Sequence, residues 1–246
     1  MPFPKNPNYV NWNLHFPGFF GPMPSKEDLY KLHINTREHP IEYETEESPE
    51  ASGINRPIDF LDMGCGFGAL VYELGRLYPD KLTLGIEIRE KPSTFVAKKI
   101  LAFRHESNFQ QYRNCSVIRT NGMKYLLNYI RQHTLSAMFI LFPDPHFKKS
   151  NWKRRIISDE LLTKYEFVLK ENGNIYYITD VYETFTDAVE KFERHPGFVK
   201  VSDEETQNDA FYKLLFNVTD ECKKAIRLDQ TLHSVVILAI ELAASK

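Results

Sequence analysis

Cysteine is scarce in this chain. Three thiols (Cys65, Cys115 and Cys222) among 246 residues are too few and too scattered for a disulfide framework or a zinc site, so the sequence points to a reducing intracellular compartment and to no metal. Long apolar runs are missing as well. The longest, residues 235–240, is far too short to span a bilayer. The first forty residues hold no signal-peptide core and are broken by Pro and Gly, which predicts no secretion. Excess charge of one sign is absent: 31 Lys and Arg against 33 Asp and Glu leave a net charge of −2, so any contact with nucleic acid must come from a local patch or a partner. There is no internal repeat, no low-complexity tract, and no ligand-like spacing among seven of the eight histidines. What remains has the composition of an ordinary globular protein, long enough to bury a sizeable core.

The order of segments then gives the fold class. Residues 1–56 read as an irregular arm, Pro-rich up to Pro24, followed by the acidic linker "EYETEESPEASG", with one short helix near "SKEDLYKL". From Pro57 to residue 246 a regular alternation predicts one domain. Strands "PIDFLDMG", "LTLGIEI", "CSVIRT", "SAMFILF" and "NIYYITD" alternate with helices "ALVYELGRLYP", 92–105, "MKYLLNYI", 159–169 behind the N-cap Ser158, and one with Phe185, Val189 and Phe192 in register. "FVKVSD" and "SVVILAIEL" close the chain as strands. Continuously apolar strands separated by helices predict an α/β fold, Rossmann-like and doubly wound around a mostly parallel sheet. Ligands bind such sheets beyond the carboxyl ends of the strands.

The first strand ends in "DMGCGFGA". Gly64, Gly66 and Gly68 permit a sharp turn and close approach of a ligand. Glu87 in "GIEIR" follows about twenty positions later, the spacing at which an acid takes a ribose hydroxyl pair. Gly64, Gly66 and Ala69 also satisfy the dinucleotide pattern, which keeps a nicotinamide oxidoreductase as a rival. Asp62 opposes it: a carboxylate beside the turn repels a pyrophosphate but attracts the cationic S-adenosyl-L-methionine. Asn121 in "RTNGM" suits an adenine edge or an ordinary Asn-Gly turn. In "LFPDPHFKK" two prolines fix the direction of Asp144, Phe142, His146 and Phe147 are placed to flank a flat ring, and five cations follow within eight residues: Lys148, Lys149, Lys153, Arg154 and Arg155. Asp180 ends the fifth strand.

With those residues in view, "DMGCGFG", "GIEIR", "LFPDPHFKK" and "YYITD" resemble the tRNA (guanine-N7)-methyltransferase family over roughly residues 57–224, and the His after Pro-Asp-Pro resembles its eukaryotic branch. The resemblance implies a class I S-adenosylmethionine-dependent methyltransferase fold of seven strands, the last antiparallel, and methylation of guanine 46 in the tRNA variable loop. By position it puts cofactor contacts on Gly64, Glu87, Ile88, Arg89, Asn121, Gly122 and Leu141, the active-site acid on Asp144, and substrate contacts on Lys148 and Asp180. "NVTDECKKAI" is similar to a late family segment, which gives Thr219 and Glu221 a cofactor- or base-side role. Ala69, Gly122, Asp220 and Cys222 depart from the family pattern, the segment after Lys224 matches weakly, and the Arg-rich arm that precedes "NP" in the family is missing from "MPFPKNPNYVNW". A WD-repeat partner subunit and a nuclear or cytoplasmic location are implied by the resemblance alone, and a catalytically idle RNA-binding subunit is the second rival. In this reading Asp144 orients the guanine by accepting from its N–H groups, and the cations hold phosphates.

Overall fold

The computed structural model describes residues 2–46 and 56–240. Seven strands are found among the described residues, and the chain divides into two compact units, residues 1–134 and 135–246.

In the first unit β1 (Phe60–Met63), β2 (Thr83–Glu87) and β3 (Cys115–Arg119) are parallel, with Met63 opposite Ile86 and Glu87 opposite Arg119. Every residue of β1 and β2 is buried, so their sequence shows no alternation. The residues before the sheet form short helices α1 (Trp12–His15) and α2 (Lys26–Tyr30). The longer helices are α3 (Ala69–Leu77), α4 (Glu90–Glu106) and α5 (Gly122–Tyr129). Pro92 lies in the first turn of α4, where its missing N–H costs nothing.

The amino-terminal residues depart from the expectation of a tethered arm. Val10, Trp12, Phe16, Phe20 and Ile34 are buried, and the Arg119 N–H donates to the Ile34 carbonyl at 2.9 Å. Buried Arg104 on α4 donates to the carbonyls of His15 (2.7 Å), Cys115 (2.8 Å) and Tyr112 (2.9 Å). One guanidinium thus ties residues far apart in sequence, a link that local composition does not reveal. Part of the acidic linker, residues 47–55, lies outside the described residues.

In the second unit β4 (Leu135–Leu141) and β5 (Leu169–Thr179) are parallel, while β7 (His233–Ala239) runs antiparallel to both β5 and β6 (Phe198–Lys200). The antiparallel last strand is the one the resemblance implies. Ser158 caps α6 (Asp159–Val168), accepting from Leu161 N at 3.4 Å. Helix α7 (Tyr182–Arg194) buries Thr184, Ala188 and Phe192, so the expected Phe185 and Val189 flank the buried face instead of centring it. Three helices lie between β6 and β7: α8 (Asp203–Asn208), α9 (Ala210–Val218) and α10 (Asp220–Arg227). None was expected, yet their caps are legible. Ser202 and Glu205 make a capping box, and Asp209 and Thr219 each accept from the N–H three residues on.

His15 is buried 3.2 Å from Ser116 Oγ, and burial, then His33 and Arg104, push its pKa from 6.5 to about 3. Between those values the unfolded chain holds the extra proton, so acid favours unfolding, and His33, lowered by burial, acts with the same sign. Stability measured by chemical denaturation should fall as pH drops from 6.5 to about 5, above the range of ordinary carboxylates. His15→Asn should flatten that slope; an unchanged slope removes His15 from the explanation.

Candidate active site

The first unit presents the glycine turn. Gly64, Gly66 and Gly68 have φ of 86°, 53° and 79°, the left-handed region where a side chain is strained. A Cβ on Gly64 or Gly66 would meet nothing within 4 Å, so open space lies above both. Gly68 is held differently: its Cβ would come within 2.8 Å of Val96 Cγ2.

Two buried carboxylates accompany the turn, Asp62 within β1 and Glu87 at the end of β2. Glu87 is 3% exposed, and four donors hold its oxygens. Oε1 accepts from Arg89 N (2.8 Å) and Nε (3.0 Å), and Oε2 from Gly66 N (3.1 Å) and Arg89 Nη2 (3.1 Å). The Gly66 bond fastens the loop to the second strand. Four contacts use the usual acceptor capacity of a carboxylate, so a ribose diol donating to Glu87 takes over sites now held by Arg89. The Cys65 thiol registers both acids: burial, then the charges of Asp62 and Glu87, push it well above its ordinary range. Such a field suits a cationic ligand and opposes a pyrophosphate.

Asn121 turns out to be the N-cap of α5, its side chain accepting from Lys124 N at 3.3 Å. Gly122 follows at the first helical position, where a Cβ would stand 2.3 Å from Met63 Sδ; that crowding accounts for glycine here. Ile88 and Arg89 are exposed.

The second unit presents the Pro-Asp-Pro loop beyond half-buried Leu141. Phe142 and His146 adopt φ of 48° and 46°, left-handed conformations that cost of order 1–3 kcal/mol each. The Phe142 N–H donates to the Ile178 carbonyl at 2.7 Å. The Asp144 side chain, bracketed by these residues, is 73% exposed. Its Oδ1 accepts from His146 N at 3.1 Å, and His146 Nδ1 stands 3.6 Å from the same oxygen. Asp180, past the end of β5, is exposed.

The cationic run divides in two. Lys148, Lys149, Lys153 and Arg154 are exposed on or beside a 3-10 turn, residues 149–154. Arg155 is not available to a phosphate, contrary to expectation. It is 5% exposed and donates from Nη1 to Asp187 (3.1 Å), from Nη2 to Glu183 (3.0 Å) and from Nε to the Pro145 carbonyl (3.1 Å). The Trp152 ring lies 4.5 Å from its guanidinium carbon. A buried guanidinium needs anionic partners, and the sequence offered a clue: Glu183 and Asp187 share one face of α7 at a spacing of four. Thr219 is also engaged. Buried as the N-cap of α10, it accepts from Cys222 N (3.3 Å) and donates to the Leu215 carbonyl (3.1 Å), while Glu221 is exposed in the first turn.

Among the described residues no group of three or more His, Cys, Asp or Glu is arranged to hold a metal, and no helix is long and apolar enough to cross a membrane.

The family described as "Putative methyltransferase" matches residues 56–235. The tRNA (guanine-N(7)-)-methyltransferase of Arabidopsis thaliana is 39% identical over 92% of this chain and 79% of its own. The corresponding protein A of Xenopus tropicalis is 40% identical over 92% and 77%, and that of Caenorhabditis elegans 46% identical over 71% and 68%.

Arg155→Ala leaves Glu183 without its cation and Asp187 with Lys191 alone, and it frees the Pro145 carbonyl. It should lower folding stability by about 3 kcal/mol, and Arg155→Lys, which cannot fork, should recover only part of that. Denaturant midpoints test this, and a loss below about 0.5 kcal/mol, the size of an ordinary surface substitution, would show that the fork does not hold the loop.

Proposed function

The chain belongs to the tRNA (guanine-N7)-methyltransferase family, and from that premise we propose that it methylates N7 of a guanosine in tRNA, at position 46 of the variable loop. Likeness over nine-tenths of the chain carries the reaction class. The single structural observation that carries the assignment of roles is the exposed, proline-bracketed Asp144 on its strained loop.

S-adenosyl-L-methionine supplies the electrophilic methyl group on a sulfonium. The first unit fits it: open space above Gly64 and Gly66 admits a ligand, and buried Asp62 and Glu87 favour a cation. Glu87 would hold the ribose, with Ile88, Arg89, Asn121 and Gly122 as further contacts. Thr219 and Glu221 keep the cofactor- or base-side role of the late segment, Glu221 by its exposed carboxylate and Thr219 by orienting α10.

Guanine N7 carries an in-plane lone pair and no proton, so the acceptor side needs no strong general base. What it must provide is orientation, worth on the order of 7–11 kcal/mol when the reacting atoms are held in near-attack geometry. Asp144 accepts from the guanine N–H groups and fixes the plane of the base. Its negative charge also favours the positive charge that develops on the ring. His146 steadies the same oxygen through its backbone N–H, and Asp180 offers a second acceptor. Lys148, Lys149, Lys153 and Arg154 hold phosphates, which fixes where the RNA lies while reading little sequence. A WD-repeat partner and a nuclear or cytoplasmic location belong to this reading as further proposals, supported by the likeness to eukaryotic proteins.

Labelled methyl transfer to bulk tRNA, with the product nucleosides and their positions identified and a WD-repeat partner present or absent, should yield 7-methylguanosine at position 46; a methyl group on another atom would sink the reaction, and one at another position only the site. Asp144→Ala should reduce turnover roughly a hundredfold, by analogy with the loss of one preorganised polar contact, while calorimetry shows donor affinity nearly unchanged. Unaltered turnover would exclude Asp144. Reversing the charges of Lys148 and Lys149 should weaken tRNA binding and flatten its dependence on salt; an unchanged slope would place the phosphates elsewhere.

A further inference from the structure

The end of β5 carries a feature that the reaction so far leaves unused. Two residues past Asp180, Tyr182 opens α7 with 63% of its surface exposed. Its ring centroid is 5.2 Å from that of His233, at a tilt of 57°. His233 begins β7 and pairs in register with Thr179, so both rings belong to the strand end that bears Asp180. Phe185, also on α7, lies 5.5 Å from His233 at 31°. Three rings therefore form a series that runs from half-buried Phe185 and His233 to the exposed Tyr182. The Asp144 loop is fastened to the same strand through Phe142 and Ile178.

Single exposed aromatics are common and need no explanation. This one adjoins two rings, and the charged groups around it are acidic: Asp180 beside it in sequence and Glu183 next on the helix, the latter paired with Arg155. The rings suit the face of a base, and the exposed Asp180 suits its N–H groups. The reaction creates a need for such a surface. N7 lies on the edge of the guanine, and presenting that edge within a folded tRNA disturbs the stacking of neighbouring bases.

We propose that Tyr182 and His233 form a stacking shelf for a nucleobase adjoining the target guanine, an inference that rests on the tRNA reading above. The shelf is tolerant of sequence, because every base has a π-face, and it acts on binding of the RNA, not on the methyl donor.

The test compares steady-state methylation of bulk tRNA by the wild-type chain, Tyr182→Ala and Tyr182→Phe, together with donor affinity by calorimetry. Loss of a base–aromatic stack predicts a roughly ten- to hundredfold rise in KM for tRNA in Tyr182→Ala. Tyr182→Phe should match the wild type, kcat should stay within a few-fold, and donor affinity should be unchanged, which also verifies folding. An unchanged KM in Tyr182→Ala would overturn the shelf, as would a Phe variant as impaired as the Ala variant, since that would indicate a hydroxyl contact. Loss of binding to a protein partner with the tRNA KM intact would overturn it too. If the wild-type chain fails to form 7-methylguanosine in the same assay, the underlying function fails, an outcome distinct from all of these.

Discussion

A loop that places Asp144 between two left-handed residues cannot hold that shape by itself. Phe142 and His146 both sit where side chains are strained, and strain of that kind persists only where the surroundings over-determine it. Arg155 supplies the constraint. Its Nε bonds the Pro145 carbonyl, one residue from Asp144, while the other end of the guanidinium forks onto Glu183 and Asp187. Helix α7 is fixed in turn by buried Thr184, Ala188 and Phe192. Lys191 bonds Asp187 at 2.5 Å and the Ile157 carbonyl at 3.3 Å, so the same acid is tied from a second side. The direction of the Asp144 carboxylate is thus inherited from the packing of a helix some forty residues away.

The first unit solves the complementary problem. Glu87 is buried, and a buried carboxylate is tolerable only when its oxygens are bonded. The backbone of Gly66 and the fork of Arg89 provide that, and in doing so they set the shape of the glycine turn. The two acids therefore differ by environment: Glu87 is buried among four donors, whereas Asp144 accepts from His146 N on one oxygen and its side chain is 73% exposed. The same side-chain chemistry is a fixed wall in one place and, in the mechanism we propose, a reading head in the other.

Much of the fold was legible because its determinants are local. Apolar runs gave the buried strands, Ser158 marked the start of α6, and three glycines within five residues announced a turn with positive φ. The helices α8, α9 and α10 were equally marked, by Ser202 with Glu205, by Asp209 and by Thr219, but three short helices in succession do not follow the strand–helix alternation that organises the rest. Asn121 shows a different limit: its residue type suits a ligand and a helix cap alike, and it is the structure that shows the cap, through the bond from Lys124 N. The amino-terminal residues misled because Pro and Gly suggest an irregular, tethered arm, while Trp12, Phe16 and Ile34 are buried by segments far along the chain.

The sequence by itself determined the alternation of strands and helices, the turn at Gly64–Gly68 and the prolines that flank Asp144, since each depends on the dihedral and periodic preferences of adjacent residues. Tertiary structure alone decided which cations face the solvent. Arg155 continues the same basic run as Arg154, yet it is buried against acids 28 and 32 positions later. Burial is a property of segments brought together from a distance, and no spacing within the run encodes it.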